Sequence, residues 1–277
     1  MPELPEVETV RRALAARLVG RRLTRVEARR ADLRTKLPRN LRARLLGRTV
    51  TGVGRRAKYL LVELDDGATM IVHLGMSGRI LLHNRATPPG PHDHVILGID
   101  DGTLVYFNDA RRFGLLALAD TEALQRHPLL KDLGMEPLDG SFNAAALAAA
   151  LRGRKTSIKA ALLDQTVIAG LGNIYASEAL FQAGISPRRR AGSLGAPRCE
   201  RLTAAIKDVL KRAIAAGGST LRDHRRPDGE LGYFQHDFAV YGRAGQRCPG
   251  CDCGGKSRIR RIVQTGRATF FCPHRQR

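Results

Sequence analysis

Residues 59–74 read Tyr59-Leu60-Leu61-Val62-Glu63-Leu64-Asp65-Asp66-Gly67-Ala68-Thr69-Met70-Ile71-Val72-His73-Leu74. Two apolar runs flank Asp-Asp-Gly, a turn sequence whose glycine tolerates positive φ. Runs this short suit strands, and so tight a turn joins them antiparallel. Asp100-Asp101-Gly102 repeats the device between Val95-Ile96-Leu97-Gly98-Ile99 and Thr103-Leu104-Val105-Tyr106-Phe107. Leu23-Thr24-Arg25-Val26 and Val50-Thr51-Gly52-Val53 add two more strands, around a basic, Pro-containing stretch at 29–48. The region from residue 22 to about residue 105 is therefore expected to be an antiparallel β-sandwich or barrel.

Outward from this block the period changes. Upstream, Leu4, Val7, Val10, Leu14 and Leu18 recur at helical intervals and stop near Gly20, which predicts a helix packed on the sheet. Downstream of about Phe113 the pattern reads as helical. A short helix begins at Thr121, and others cover 143–151, 158–164, 174–183 and 198–216. In the tail, 259–263 and 268–271 form a hairpin around Thr265-Gly266-Arg267. The fold class is α+β.

The chain has 277 residues, 43% of them hydrophobic and 26% charged, which is globular composition. Lys+Arg number 47 against 26 Asp+Glu, a formal net charge of +21. An excess this large points to a polyanion, most simply nucleic acid, with an anionic membrane surface as the rival. No apolar run is long enough to span a bilayer and no leader pattern is present, so a cytoplasmic, nucleoid-associated protein is expected.

Several short stretches carry chemistry. Pro2 follows Met1, and removal of Met1 would expose a secondary amine. An α-amine has a pKa of about 8, against about 10 for lysine, so more of it is nucleophilic at neutral pH. Glu3 and Glu6 stand beside it, either as simple first-turn helix acids or as catalytic groups. Lys58 precedes a strand and could be a solvated lysine or a phosphate ligand. Met76, between Gly75 and Gly78, is either core or an apolar wedge between bases. Arg111-Arg112-Phe113 suits phosphate neutralisation with base stacking. Asn173, after Gly170-Leu171-Gly172, either caps the following helix or contacts a backbone phosphate. Cys248-x-x-Cys251 with Cys272 is three-quarters of a tetrahedral metal knuckle. Arg275 stands where a fourth thiolate is expected, leaving His274 or Cys253 as the substitute. Cys199 stands apart and reads as structural.

Taken together these residues resemble the bacterial formamidopyrimidine-DNA glycosylases. The likeness spans nearly the whole chain. It includes Pro2 to Glu8, Lys58-Tyr59, His73-Leu-Gly-Met-Ser-Gly78, Arg111-Arg-Phe-Gly114, Gly172 to Glu178, Gly217-Gly-Ser-Thr-Leu221, Val240-Tyr-Gly-Arg243 and Gly266 to Cys272.

The resemblance implies an N-terminal β-sandwich with an edge helix (1–120), a helical domain with a helix–two-turn–helix (121–240) and a zinc-finger-like β-hairpin (241–277). It implies excision of oxidised purines such as 8-oxoguanine and formamidopyrimidines through a Schiff base on Pro2, then β,δ-elimination of the abasic strand. Glu3 and Glu6 would serve the reaction, and Lys58, Asn173 and Arg267 would hold phosphates. Met76, Arg111 and Phe113 would fill the gap left by the everted base, and Arg112 would bind phosphate. His73, His94, Lys155 and Tyr241 would join the DNA contacts. The loop at 219–241 would close over the base, and one structural zinc per chain would sit on Cys248, Cys251 and Cys272. The expected partner is double-stranded DNA carrying an oxidised base, without a membrane, and the expected state is a monomer.

Two departures stand out: the missing fourth cysteine, and a Cys251-to-Cys272 spacing longer than the family's usual one. An endonuclease VIII-like enzyme for oxidised pyrimidines is the nearest rival, although that branch starts Pro-Glu-Gly where this chain has Leu4. The other rival is a damaged-DNA-binding protein without catalysis, which the intact Pro2, Glu3 and Lys58 disfavour.

Overall fold

The β3–β4 hairpin forms as its sequence requires. In the computed structural model, which describes residues 2–84, 87–219, 232–251 and 257–277, β3 (Tyr59–Leu64) pairs antiparallel with β4 (Ala68–His73). The turn is closed by Gly67 N–H on the Leu64 carbonyl at 3.2 Å and Ala68 N–H on Asp66 Oδ1 at 3.1 Å.

The chain divides into two compact units, Met1–Asp132 with Ala216–Tyr233, and Leu133–Ala215 with Phe234–Arg277. The first opens with α1 (Leu4–Leu18), β1 (Leu23–Ala28), α2 (Leu41–Leu45) and β2 (Val50–Arg56) before the hairpin. It continues with β5 (Arg79–His83), β6 (Asp93–Ile99), β7 (Leu104–Asn108) and β8 (Leu115–Asp120), then a 3-10 turn at Thr121–Arg126. The strands make two four-stranded antiparallel sheets, ordered β1-β6-β7-β5 and β2-β3-β4-β8. Their inner faces meet in one core: Val26, Val95, Leu97, Val105 and Phe107 from one sheet, Val50, Leu60, Val62, Met70, Val72 and Leu116 from the other. The apolar stripe Val7, Val10, Leu14 and Leu18 of α1 joins the same core.

Three elements differ from the sequence reading. β8, Leu-Leu-Ala-Leu-Ala-Asp, lies where a helical pattern is expected, because residue-by-residue pairing with β4 overrides a weak helical preference. β5 is an additional strand, half-buried beside β7, and α2 is a single turn within the basic stretch.

The second unit contains α3 (Ala144–Leu151), α4 (Ile158–Leu163), α5 (Asn173–Gln182) and α6 (Ala196–Ala215), then β9 (Arg260–Gln264) paired with β10 (Arg267–Phe271). α3 is capped by Asn143 Oδ1, which accepts Ala146 N–H at 2.9 Å, and α4 by Ser157 Oγ, which accepts Ala160 N–H at 3.3 Å. α6 is amphipathic and buries Cys199, Leu202, Ile206, Val209 and Leu210 on one face. Cys199 is wholly buried, as a structural residue should be, and burial pushes its thiol pKa up. Among the described residues, no helix is long and apolar enough to cross a membrane.

Candidate nucleic-acid site

In the first unit the N-terminus is tied down rather than frayed. Pro2, Glu3 and Glu6 are buried, and Glu3 occupies the N-cap of α1. Glu6 Oε2 accepts Glu3 N–H at 2.8 Å, the reciprocal arm of a capping box. Glu6 Oε1 accepts both the N–H of Ser219 at 2.8 Å and its hydroxyl at 2.9 Å. Gly218 makes this approach possible. Its φ is +80°, and a Cβ there would lie 3.2 Å from Glu6 Cγ. Two residues further along α1, Glu8 bonds Arg11, Arg12 and Arg55. Burial alone would raise the Glu8 pKa, but these three guanidiniums outweigh it and the net shift is downward.

Lys58 sits in the β2–β3 turn, where Ala57 adopts a left-handed φ of 53°, and is only 6% exposed. Across the hairpin the ring of His73 lies 4.9 Å from Tyr59. His73 Nδ1 accepts Gly75 N–H at 3.0 Å, so this nitrogen is unprotonated. Burial, with the positive charges of Lys58 and Arg34, pushes the His73 pKa down to about 4. Its imidazole is neutral at physiological pH.

Two loops meet around Asp109. The buried carboxylate accepts Ser77 Oγ at 2.5 Å and Gly114 N–H at 2.8 Å, and Ser77 Oγ in turn accepts Arg111 N–H at 3.2 Å. His94 is buried and its Nε2 bonds the Asp109 carbonyl at 2.8 Å, so it braces the same turn from within. Gly75 permits the contact: a Cβ there would fall 2.3 Å from the Phe113 carbonyl carbon. Met76 and Phe113 are left 46% and 44% exposed, an unusual state for large apolar side chains. Arg111 bridges them, its guanidinium 4.9 Å from the Phe113 ring and its Nη2 3.4 Å from Met76 Sδ. Arg112 is exposed, with a positive φ of 56°. The three residues expected to act as a wedge thus form one projecting cluster.

In the second unit Asn173 does not cap α5. Gly172 holds the N-cap position, and Asn173 Nδ2 instead donates to the Ala268 carbonyl at 3.0 Å and towards Tyr241 Oη at 3.4 Å. Among the described residues, Asn173 Oδ1 is buried with no partner. Tyr241 packs edge-on against Phe238 and Phe270. Arg267 is exposed at the tip of the β9–β10 hairpin, after Thr265 and Gly266, both at positive φ.

Lys155 is exposed on the turn between α3 and α4. The lysine that touches the hairpin is Lys159, which the sequence reading passed over. It is 1% exposed and donates to the Ala268 carbonyl at 3.0 Å and Thr269 Oγ1 at 2.6 Å. Glu178 was passed over as well. Its carboxylate accepts the N–H groups of Ala239, Val240 and Tyr241 at 2.8–3.0 Å and so fixes the segment carrying Tyr241. Burial raises the Glu178 pKa despite these three bonds. A carboxylate in the second turn of a Gly-rich helix start was the available signal.

Cys248, Cys251 and Cys272 bring their sulfurs within 4.8 Å of one another, a group that could hold a metal ion. His274 is exposed and outside this group, and Cys253 lies outside the described residues. Arg275 turns its guanidinium over the Phe181 ring at 4.9 Å and bonds the carbonyls of Phe181 and Gly250, while its N–H points at Cys272 Sγ at 3.5 Å. Met1 and most of the loop at 219–241 also lie outside the described residues.

Residues 1–116 match the formamidopyrimidine-DNA glycosylase N-terminal domain, and residues 133–225 match the formamidopyrimidine-DNA glycosylase H2TH domain. The formamidopyrimidine-DNA glycosylase of Rhodospirillum rubrum is 58% identical over 284 residues, covering 100% of both chains. That of Paracoccus denitrificans is 55% identical over 281 residues, covering 99% of each. Among solved structures, MutM (Fpg) of Thermus thermophilus superposes with TM-score 0.87 at 43% identity, over 99% of this chain and 98% of that one. A Lactococcus lactis Fpg variant bound to Fapy-dG-containing DNA gives TM-score 0.90 at 37% identity, over 100% of both.

Proposed function

This chain belongs to the formamidopyrimidine-DNA glycosylase family, and we propose that it excises oxidised purines from double-stranded DNA and cuts the resulting abasic strand. The observation that carries this reading is the grip of buried Glu6 on the Glu3 N–H and on Ser219. It places the residue after Pro2 in a fixed, desolvated frame, which a nucleophilic amine needs and a frayed terminus lacks.

In the proposed reaction Met1 is absent and the Pro2 nitrogen attacks C1′ of the damaged nucleotide. The bond from C1′ to the base breaks, and the base leaves with a proton supplied by an acid, for which Glu3 is the candidate. Ring opening gives an iminium. The iminium draws electrons from C2′, whose proton is lost as the 3′ phosphate departs, and a second elimination releases the 5′ phosphate. Extrusion of the base costs a few kcal/mol, less at a lesion. Met76, Arg111 and Phe113 project from the sandwich and would occupy the emptied stack, while Lys58, Asn173 and Arg267 would grip phosphates.

The metal of the hairpin is proposed to be zinc with a structural role. Tetrahedral zinc–thiolate bonds of about 2.3 Å put sulfurs about 3.8 Å apart. Cys251 Sγ and Cys272 Sγ are 3.8 Å apart, which fits. Cys248, Cys251 and Cys272 would hold it, with His274 or Cys253 as candidates for the fourth position. The protein is proposed to act as a monomer in the cytoplasm, on the nucleoid.

The reading is tested by borohydride trapping on duplex DNA containing 8-oxoguanine, with intact mass confirming that Met1 is absent. A covalent adduct is expected. Its absence from protein starting at Pro2 would sink the enzyme reading and leave a DNA-binding protein. Trapping on oxidised pyrimidines in preference to 8-oxoguanine would favour the endonuclease VIII-like alternative.

A further inference from the structure

The second unit carries a strongly basic concavity that none of the proposed lesion contacts uses. It is an open cleft of about 640 Å³, lined by Arg188, Arg189 and Arg190 from the loop after α5 and by Arg277. Ser186 and Ser193 add hydroxyls, and no acidic side chain lines it. Like charges this close repel, so such a cluster needs a reason to exist. Among the described residues, none of the four arginines forms an ion pair, although the chain forms many elsewhere, such as Arg154 with Asp164. Among those residues Arg189 Nε is buried without a hydrogen-bond partner, a donor that ordinarily finds an acceptor. Arg188, Arg190 and Arg277 are exposed.

The loop's position is fixed. Arg189 O accepts Ile158 N–H at 2.7 Å, and Gln264 Nε2 donates to Pro187 O at 3.3 Å. Gln264 is the last residue of β9, at the hairpin tip that presents Arg267. The loop is thereby tied to the end of β9, while Phe271, at the end of β10 away from Arg267, lines the cleft with Pro273 and Gln276. Ser193 Oγ donates to the Arg190 carbonyl at 2.8 Å and Arg277 Nε to the His274 carbonyl at 3.2 Å, which leaves the buried Arg189 Nε and the exposed planar guanidiniums as the groups that suit phosphate oxygens.

We infer that the cleft is a second phosphate-binding surface, which takes the backbone of duplex DNA flanking the lesion and lengthens the protein's footprint. This rests on the function proposed above. Its contribution is sequence-independent, so its role lies in holding undamaged duplex while lesions are sought. Each neutralised phosphate adds about 0.9 to the slope of log binding constant against log salt.

The experiment measures that slope for the full chain and for R188A/R190A on two undamaged duplexes. One is just long enough for the lesion contacts, and the other extends well beyond the hairpin side. The double variant is expected to lower the slope on the long duplex by about 2 and leave the short one unchanged, with R188K/R190K restoring it. An unchanged slope on the long duplex overturns the inference, as does an equal fall on both lengths, which would mark a general loss of charge. Normal binding to a lesion duplex alongside either result would leave the proposed function standing. Failure of the unaltered protein to bind any duplex would overturn both.

Discussion

Glu6 and Ser219, 213 positions apart, are joined twice: the Ser219 N–H and hydroxyl both end on Glu6 Oε1, at 2.8 and 2.9 Å. The other oxygen of the same carboxylate holds the Glu3 N–H. One buried group thus ties the start of α1 to the turn at residues 218–219.

Glu6→Ala removes a buried acceptor shared by three donors. At about 1–3 kcal/mol for each buried group left without its partner, a loss of several kcal/mol is expected, partly relieved by water. Urea denaturation measures it. Glu6→Gln keeps the shape but turns an amide N–H₂ towards one of those donors. It should lose less stability than Glu6→Ala yet still lower borohydride trapping. Equal stability of Glu6→Ala and the parent would show that the contacts contribute nothing.

His73 makes stability pH-dependent in a defined window. Its folded pKa of about 4 lies below the ordinary 6.5, so the neutral form is favoured in the folded state. That contribution is fully present above pH 6.5 and is lost as pH falls towards 4, by up to about 3 kcal/mol. His73→Gln should flatten the denaturation midpoint across pH 7.5 to 4.5, relative to the parent. Parallel pH profiles for the two proteins would remove His73 as the cause.

Phe113→Ala should weaken binding to a duplex with an abasic site about tenfold or more, because stacking against a base is worth about 1–3 kcal/mol. Met76→Ala should act in the same direction. Binding to single-stranded DNA, which has no gap to fill, should change little. Equal losses on both substrates would take Phe113 out of the gap.

Arg267→Ala should lower the salt slope of duplex binding by about 0.9, uniformly across sequences. Titrations at several salt concentrations give the answer, and an unaltered slope would exclude a phosphate contact.

Metal analysis of the purified chain is expected to give about one zinc, and Cys272→Ser should abolish it. Cys253→Ser and His274→Ala then separate the two candidates for the fourth position. Metal retained in both variants would leave three thiolates and a ligand of another kind.

The sandwich was legible because its strands alternate and its turns carry Asp-Asp-Gly, both local properties. β8 was not, since Leu115 to Ala119 prefer a helix when read alone and become a strand only through β4. The wedge was legible as motifs, but its assembly rests on Asp109 accepting from nearby Gly114 and, across a long sequence gap, from Ser77. Lys159 was hidden for a related reason. A lysine in a helix reads as solvated, and only the folded chain sets β10 against it.

The carbonyl of Ala268 accepts from Asn173 and from Lys159, each at 3.0 Å. A transplant of this hairpin onto another scaffold would therefore fail if it carried residues 260–271 alone. The portable module is the hairpin with α4 and the start of α5, because Lys159 and Asn173 anchor Arg267's strand from outside the hairpin.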